Sequence, residues 1–142
     1  MQSADDSLGV LVSRCARSLD RSLDDALTAA GGSLPTWLVL QALATAEHAA
    51  QADLARAVGV RQPTLTHHLD ALERSGFVTR RRSPADRRVQ HVEFTESGRQ
   101  LFVRLRRVAA SFDGRLRAGL SSADVAELQR LLDQLSENAR AD

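Results

Sequence analysis

The sequence has no lysine and no tyrosine, one cysteine, one tryptophan and three prolines in 142 residues. A lone cysteine excludes an internal disulfide and fits a reducing compartment. No apolar run approaches the ~18 residues that a membrane span needs, so no membrane partner is expected. The opening MQSADDSLGV lacks the basic segment of a secretory signal, and a cytoplasmic location is the expectation. Internal repeats, low-complexity stretches and long linkers are absent. So are a G-x-S-x-G elbow, a glycine-rich phosphate loop and a cysteine with a histidine partner. The chain is therefore not expected to be an enzyme or to hold a cofactor. His67 and His68 are neighbours, so on a helix they point about 100° apart, and no cysteine or carboxylate set completes a tetrahedron; no metal site is expected.

What is present is unevenly distributed. Net charge is only +1, and all 19 basic residues are arginine. Ten of them (74, 80, 81, 82, 87, 88, 99, 104, 106 and 107) lie between Arg74 and Arg107 against three acids, Asp86, Glu93 and Glu96. The first thirty residues hold three arginines against five aspartates. Such asymmetry predicts a localised electropositive surface, the alternative being a merely solvated arginine-rich face. The length fits one domain, and 43% hydrophobic residues suffice for its core.

Leu8, Leu11, Val12, Cys15, Leu19, Leu23, Ala26 and Leu27 recur at helical spacing and stop at Gly31-Gly32. Ser33 and Pro35 predict the cap and first turn of a second helix, on which Trp37, Leu40, Leu43 and Ala44 share a face. A polar segment around Glu47 leads to a third helix from about Ala52 to Val58, broken by Gly59. A fourth runs from about Gln62 to Arg74 with Leu65, Leu69 and Leu72 inward. Extended runs at Phe77-Val78 and from Val89 to Phe94 flank RRRSPADRR, which predicts a β-hairpin with a long basic tip. Helical spacing returns from Glu96 through Leu101, Leu105, Val108, Phe112 and Leu116. Ser121 and Asp124 stand at capping-box spacing before a last helix through Val125, Leu128, Leu131, Leu132 and Leu135. The fold class is mainly α (α+β), in the order α-α-α-α-β-β-α-α.

The stretch from Ala52 to Arg74 carries the functional signal. Two short helices joined by Val58-Gly59-Val60 must cross, because Gly59 can take φ > 0. Leu54, Ala55, Val58, Val60, Leu65 and Leu69 then form the small core between them. The start of the second helix stays exposed, making Arg61, Gln62, Pro63, Thr64, Thr66, His67 and His68 candidate DNA contacts. In a helix-turn-helix this end enters the major groove. Glutamine pairs with adenine and arginine with guanine, while threonine meets phosphates or the thymine methyl. Arg80, Asp86, Arg87 and Arg88 extend the candidate surface to the hairpin, since narrow minor grooves attract arginine. Asp86 is placed to orient Arg88 by a charge-assisted hydrogen bond. Arg61, Arg80 and Arg87 are expected mainly to neutralise phosphate.

The run DLARAVGVRQPTLTHHLDALERSGFVTRRRSPADRRVQHVEFTESGRQL resembles the MarR family of regulators. The shared marks are TLT in the recognition helix, LxxLExxGFVxR, the D-x-R tip (Asp86-Arg87-Arg88) and TxxGR (Thr95, Gly98, Arg99). Similarity extends to Leu34-Pro35-Thr36-Trp37 and to the Leu120–Leu135 helix, nearly the whole chain. The resemblance implies a winged helix-turn-helix with a two-stranded β wing. It implies a single module over 1–142, with dimerisation helices at about 1–32 and 96–142 and a DNA-binding lobe at about 33–95. It further implies a homodimer on a pseudo-palindromic operator, and repression relieved by a small-molecule effector, an aromatic or anionic compound. By position Arg88 corresponds to the family's minor-groove arginine, and Asp86 to its partner. Leu11, Cys15, Trp37 and Gln41 are the expected effector-binding residues.

Three positions depart from the family pattern. Arg61 replaces the usual Ser, Thr or Asp cap, losing ~1 kcal/mol of capping. His67 stands where arginine is common, which makes pH-dependent DNA binding an expectation. The position of the reactive cysteine in peroxide-sensing members falls on Gly9. Cys15 lies almost two turns later on the apolar face, so buried packing is the better account of it. A redox-responsive regulator of the same fold and a winged-helix protein-interaction module are the alternatives.

Overall fold

A computed structural model describes residues 7–46 and 49–141. Six helices and three strands are found among them. They are α1 (Leu8–Ala29), α2 (Leu34–Thr45), β1 (Ala49–Ala50), α3 (Gln51–Val58), α4 (Gln62–Arg74), β2 (Val78–Arg82), β3 (Gln90–Phe94), α5 (Glu96–Leu116) and α6 (Ser122–Arg140). The polar segment around Glu47 lies outside the described residues. The chain divides into two compact units, residues 1–109 and 110–142.

In the first unit the caps fix where helices start and stop. The Ser33 hydroxyl accepts the Thr36 N–H at 3.1 Å, and the Asp24 carboxylate of α1 accepts the Leu34 N–H at 2.7 Å, locking the corner between α1 and α2. Gly59 ends α3 in the left-handed region at φ 78°, a conformation glycine takes without the Cβ penalty. Its N–H and that of Val60 both bond to Ala55 O, and the chain swings directly into α4. Leu27, Leu40, Leu54, Leu65, Leu69, Val92, Leu101 and Leu105 are fully buried, so one apolar core holds α1 through α5.

β2 and β3 form the expected wing, antiparallel with Val78 opposite Phe94, Arg80 opposite Val92 and Arg82 opposite Gln90. A third strand joins it: β1 pairs with β3, Ala49 opposite Val92, giving the order β1-β3-β2. Two alanines carry no periodicity, so only the open edge of β3 reveals them as a strand.

The Thr95-x-x-Gly98-Arg99 segment joins wing to helix. Thr95 caps α5: its hydroxyl accepts the Gly98 N–H at 3.0 Å and donates to Gly76 O at 2.6 Å. Gly98 lies against the backbone of Phe77, where a Cβ would come within 1.9 Å of the carbonyl oxygen. The segment is therefore a packing device that only glycine permits.

Within the second unit the expected capping box closes α6. Asp124 N–H donates to the Ser121 hydroxyl at 3.1 Å, and Ser121 N–H donates to the Asp124 carboxylate at 2.8 Å. Leu128, Leu131 and Leu132 of this helix are exposed. On α1, Leu8, Leu11 and Leu19 are exposed too. One expectation is corrected there: Cys15 is exposed, not buried. Helical spacing identifies an apolar face correctly, but it does not say whether the same chain covers it.

Candidate nucleic-acid interface

The start of α4 and the wing border a cleft of about 670 Å³. Gln51 and Gln62 line one side; Arg82, Arg87, Arg88 and Gln90 line the other. Arg61, Gln62, Pro63, Thr64 and His67 are exposed, and Thr66 and His68 are half-buried. Arg61 takes the N-cap position in extended conformation with no side-chain cap bond, as its residue type predicts. Thr66 is held from α3, since Gln51 Nε2 donates to its hydroxyl at 2.7 Å.

The wing tip is closed by its own polar groups. Ser83 N–H donates to Val89 O at 2.8 Å, its buried hydroxyl accepts the Ala85 N–H at 3.3 Å, and Val89 N–H returns to Asp86 O at 3.0 Å. Asp86 holds Arg88 as expected. It accepts the Arg88 backbone N–H at 3.0 Å and the guanidinium Nε at 3.2 Å. The backbone bond first, and the side-chain bond second, hold the Asp86 carboxyl below its ordinary pKa. The Arg88 side chain is nonetheless 91% exposed. A guanidinium oriented at its base and free at its face suits insertion into a groove.

Arg80 requires a correction. It was expected to neutralise phosphate, yet its side chain is only 17% exposed and folds back onto α4. The guanidinium meets Asp70 at 2.5 Å and Glu73 at 3.0 Å, and the backbone N–H of Arg80 donates to Glu73 at 3.1 Å. Strand alternation explains this. Val78 and Arg80 lie on the same face of β2, and Asp70 and Glu73 are three residues apart on one face of α4. Arg80 thus ties β2 of the wing to α4.

Its hydrogen bond to Glu73 lowers the Glu73 pKa, and Glu73 in turn raises that of Arg80. A depressed carboxylate contributes stability that is present above the ordinary glutamate range and lost as pH falls through the folded value. We therefore expect Arg80→Met to lower Tm at neutral pH, and the gap to the wild type to narrow as pH falls below the ordinary glutamate range. A Tm gap independent of pH would contradict the ion-pair role.

The four expected effector residues differ in burial. Leu11, Cys15 and Gln41 are exposed and only Trp37 is buried. A second cleft, of about 410 Å³, lies where α2, β3 and α5 meet. Leu43, Ala44, Glu93, Phe94, Arg99, Phe102 and Val103 line it. Arg99 covers the Phe94 ring at 5.6 Å, and Phe102 stacks on Trp37 at 5.7 Å. Trp37 therefore reaches this cleft through Phe102. Gln51 and Gln90 were not among the expected DNA contacts. Arg82 belongs to the basic hairpin that the sequence marks; Gln51 and Gln90 carry no signal in one dimension.

A tight helix-turn-helix followed by an arginine-tipped β-ribbon defines a winged-helix protein. Residues 33–89 match the model of the MarR family. It is similar to a mutant of MarR from E. coli complexed with operator DNA, at 26% identity and TM-score 0.84 over 90% of this chain and 92% of that one. It is similar to the transcriptional repressor CouR bound to a 23-mer DNA duplex, at 27% identity and TM-score 0.80 over 94% and 93%. CouR from Rhodococcus jostii RHA1 bound to p-coumaroyl-CoA matches at 26% identity and TM-score 0.81 over 95% of each chain.

Proposed function

We propose that the protein is a sequence-specific regulator of transcription that binds double-stranded DNA. In this reading it is a homodimeric repressor on a pseudo-palindromic operator, released by a small-molecule effector. The observation that carries the proposal is the wing tip. Arg88 is anchored on Asp86 but exposed, beside the open start of α4. Gln62, Thr64, Thr66, His67 and His68 would meet the major groove, Arg88 the minor groove, and Arg61, Arg82 and Arg87 the phosphates. The test is binding to DNA from the protein's own upstream region and to random duplex across a salt series. A steep salt slope on both, with the upstream site bound ~10³-fold or more tightly, is the expected result. Weak, equal binding would overturn it in favour of a protein-interaction module.

The rows of exposed leucines on α1 and on α6 support the homodimer, with helices of about 1–32 and 96–142 joining two copies and 33–95 forming the DNA-binding lobe. Leu128→Asp with Leu132→Asp should give a monomer by light scattering; a dimer of unchanged mass would remove α6 from the interface. The effector belongs in the 410 Å³ cleft, whose aromatic floor and Arg99 suit an aromatic or anionic compound. It releases DNA if it prefers a conformer whose recognition helices are spaced wrongly for the operator.

A further inference from the structure

We infer that Gln51, which belongs to α3 and not to the recognition helix, sets what Thr66 reads by fixing the direction of its hydroxyl proton. The inference rests on the DNA-binding reading above. A threonine hydroxyl has one proton and two lone pairs, and an unrestrained one serves as donor or acceptor. Gln51 Nε2 donates to Thr66 Oγ1 at 2.7 Å, which occupies one lone pair. Among the described residues neither side chain has another partner. The Thr66 proton is thereby directed away from Gln51. Gln51 also lines the cleft between α4 and the wing, together with Gln62 and Arg88. Thr66 accordingly acts as a donor, and it favours a base edge that offers an acceptor there: N7 or O6 of guanine, N7 of adenine or O4 of thymine. The N4 amine of cytosine can meet only the one lone pair that remains. Gln51 is a positioning residue, touching Thr66 and acting on the base through it.

The polarity is reversible by one substitution, and that supplies the test. In Gln51→Glu the carboxylate accepts the Thr66 proton, leaving a hydroxyl lone pair facing the DNA. Glutamate at the first position of α3 suits the helix dipole, so folding is retained. The operator bound by the wild type is varied base by base through one half-site, and relative affinities are measured for wild type, Gln51→Glu, Gln51→Leu and Thr66→Val. At one position the wild type should prefer an acceptor-bearing base roughly 3- to 10-fold, the size of one neutral hydrogen bond. Thr66→Val should flatten that preference and Gln51→Leu should weaken it. Gln51→Glu should turn it toward cytosine, although its added charge lowers affinity for every sequence. Unchanged preference in Gln51→Glu overturns the inference. So does uniform weakening in Thr66→Val, which would make Thr66 a phosphate contact. A wild type that binds no DNA refutes the regulator reading instead.

Discussion

Gly98→Ala is expected to cost on the order of 3–5 kcal/mol of stability, lowering Tm by about 10 °C or more. The added Cβ would stand 1.9 Å from Phe77 O and 2.9 Å from Phe77 C. Both atoms are backbone, so no rotamer change relieves the contact. Either α5 moves off the base of β2, or Phe77 does. Each movement strains the bond from Thr95 N–H to Phe77 O at 3.1 Å and the cap on Gly98 N–H. Gly114 is the control: it also lies in α5, but nothing stands within 4 Å of an added Cβ. Gly114→Ala should be neutral or stabilising by about 0.5–1 kcal/mol, the ordinary helix effect. Equal melting of the two variants would show that α5 does not start against Phe77.

Arg88→Ala should weaken operator binding by about 10- to 100-fold, as loss of a base-reading arginine does, while leaving Tm almost unchanged. The side chain is nearly fully exposed, so the folded chain loses only the contact to Asp86. Affinity for random duplex should fall less, because a phosphate contact weakens all sequences alike. Asp86→Ala should fall between wild type and Arg88→Ala, since the guanidinium remains but its orientation is lost. Operator affinity unaffected by Arg88→Ala would remove the wing from the interface.

Local signals made much of the fold legible. Ser33, Gly59 and the Ser121–Asp124 pair are residue types whose side chains or backbone freedom act within a few positions, and each ends or starts a helix where expected. The bounds of α4 follow from leucine spacing and a serine-glycine stop. The Asp86–Arg88 pair was legible for the same reason, being two residues apart. Contacts across elements were less so. Arg80 looked like one more basic residue of the wing, and only the packing of β2 on α4 brings it to Asp70 and Glu73. Strand alternation and the spacing of the two acids held that signal, but the count of arginines hid it. Gln51 and Thr66 are fifteen residues apart, and no period connects them. The effector residues were chosen for an apolar face. Apolar core, uncovered face and ligand cleft share one composition, and the structure divides Leu11, Cys15, Trp37 and Gln41 between buried and exposed positions.

The aromatic stack beside the smaller cleft has an optical consequence. The chain has one tryptophan and no tyrosine, so its near-ultraviolet emission arises from a single indole. Trp37 is 7% exposed and lies nearly parallel to Phe102, which in turn tilts against Phe94 at 5.8 Å, at the end of β3. A compound entering the cleft touches Phe102 directly, and a change at the root of the wing displaces Phe94. Either event reaches the indole through one or two rings. The protein thus carries a built-in fluorophore between its cleft and its wing, and candidate effectors can be titrated by intrinsic emission without a label.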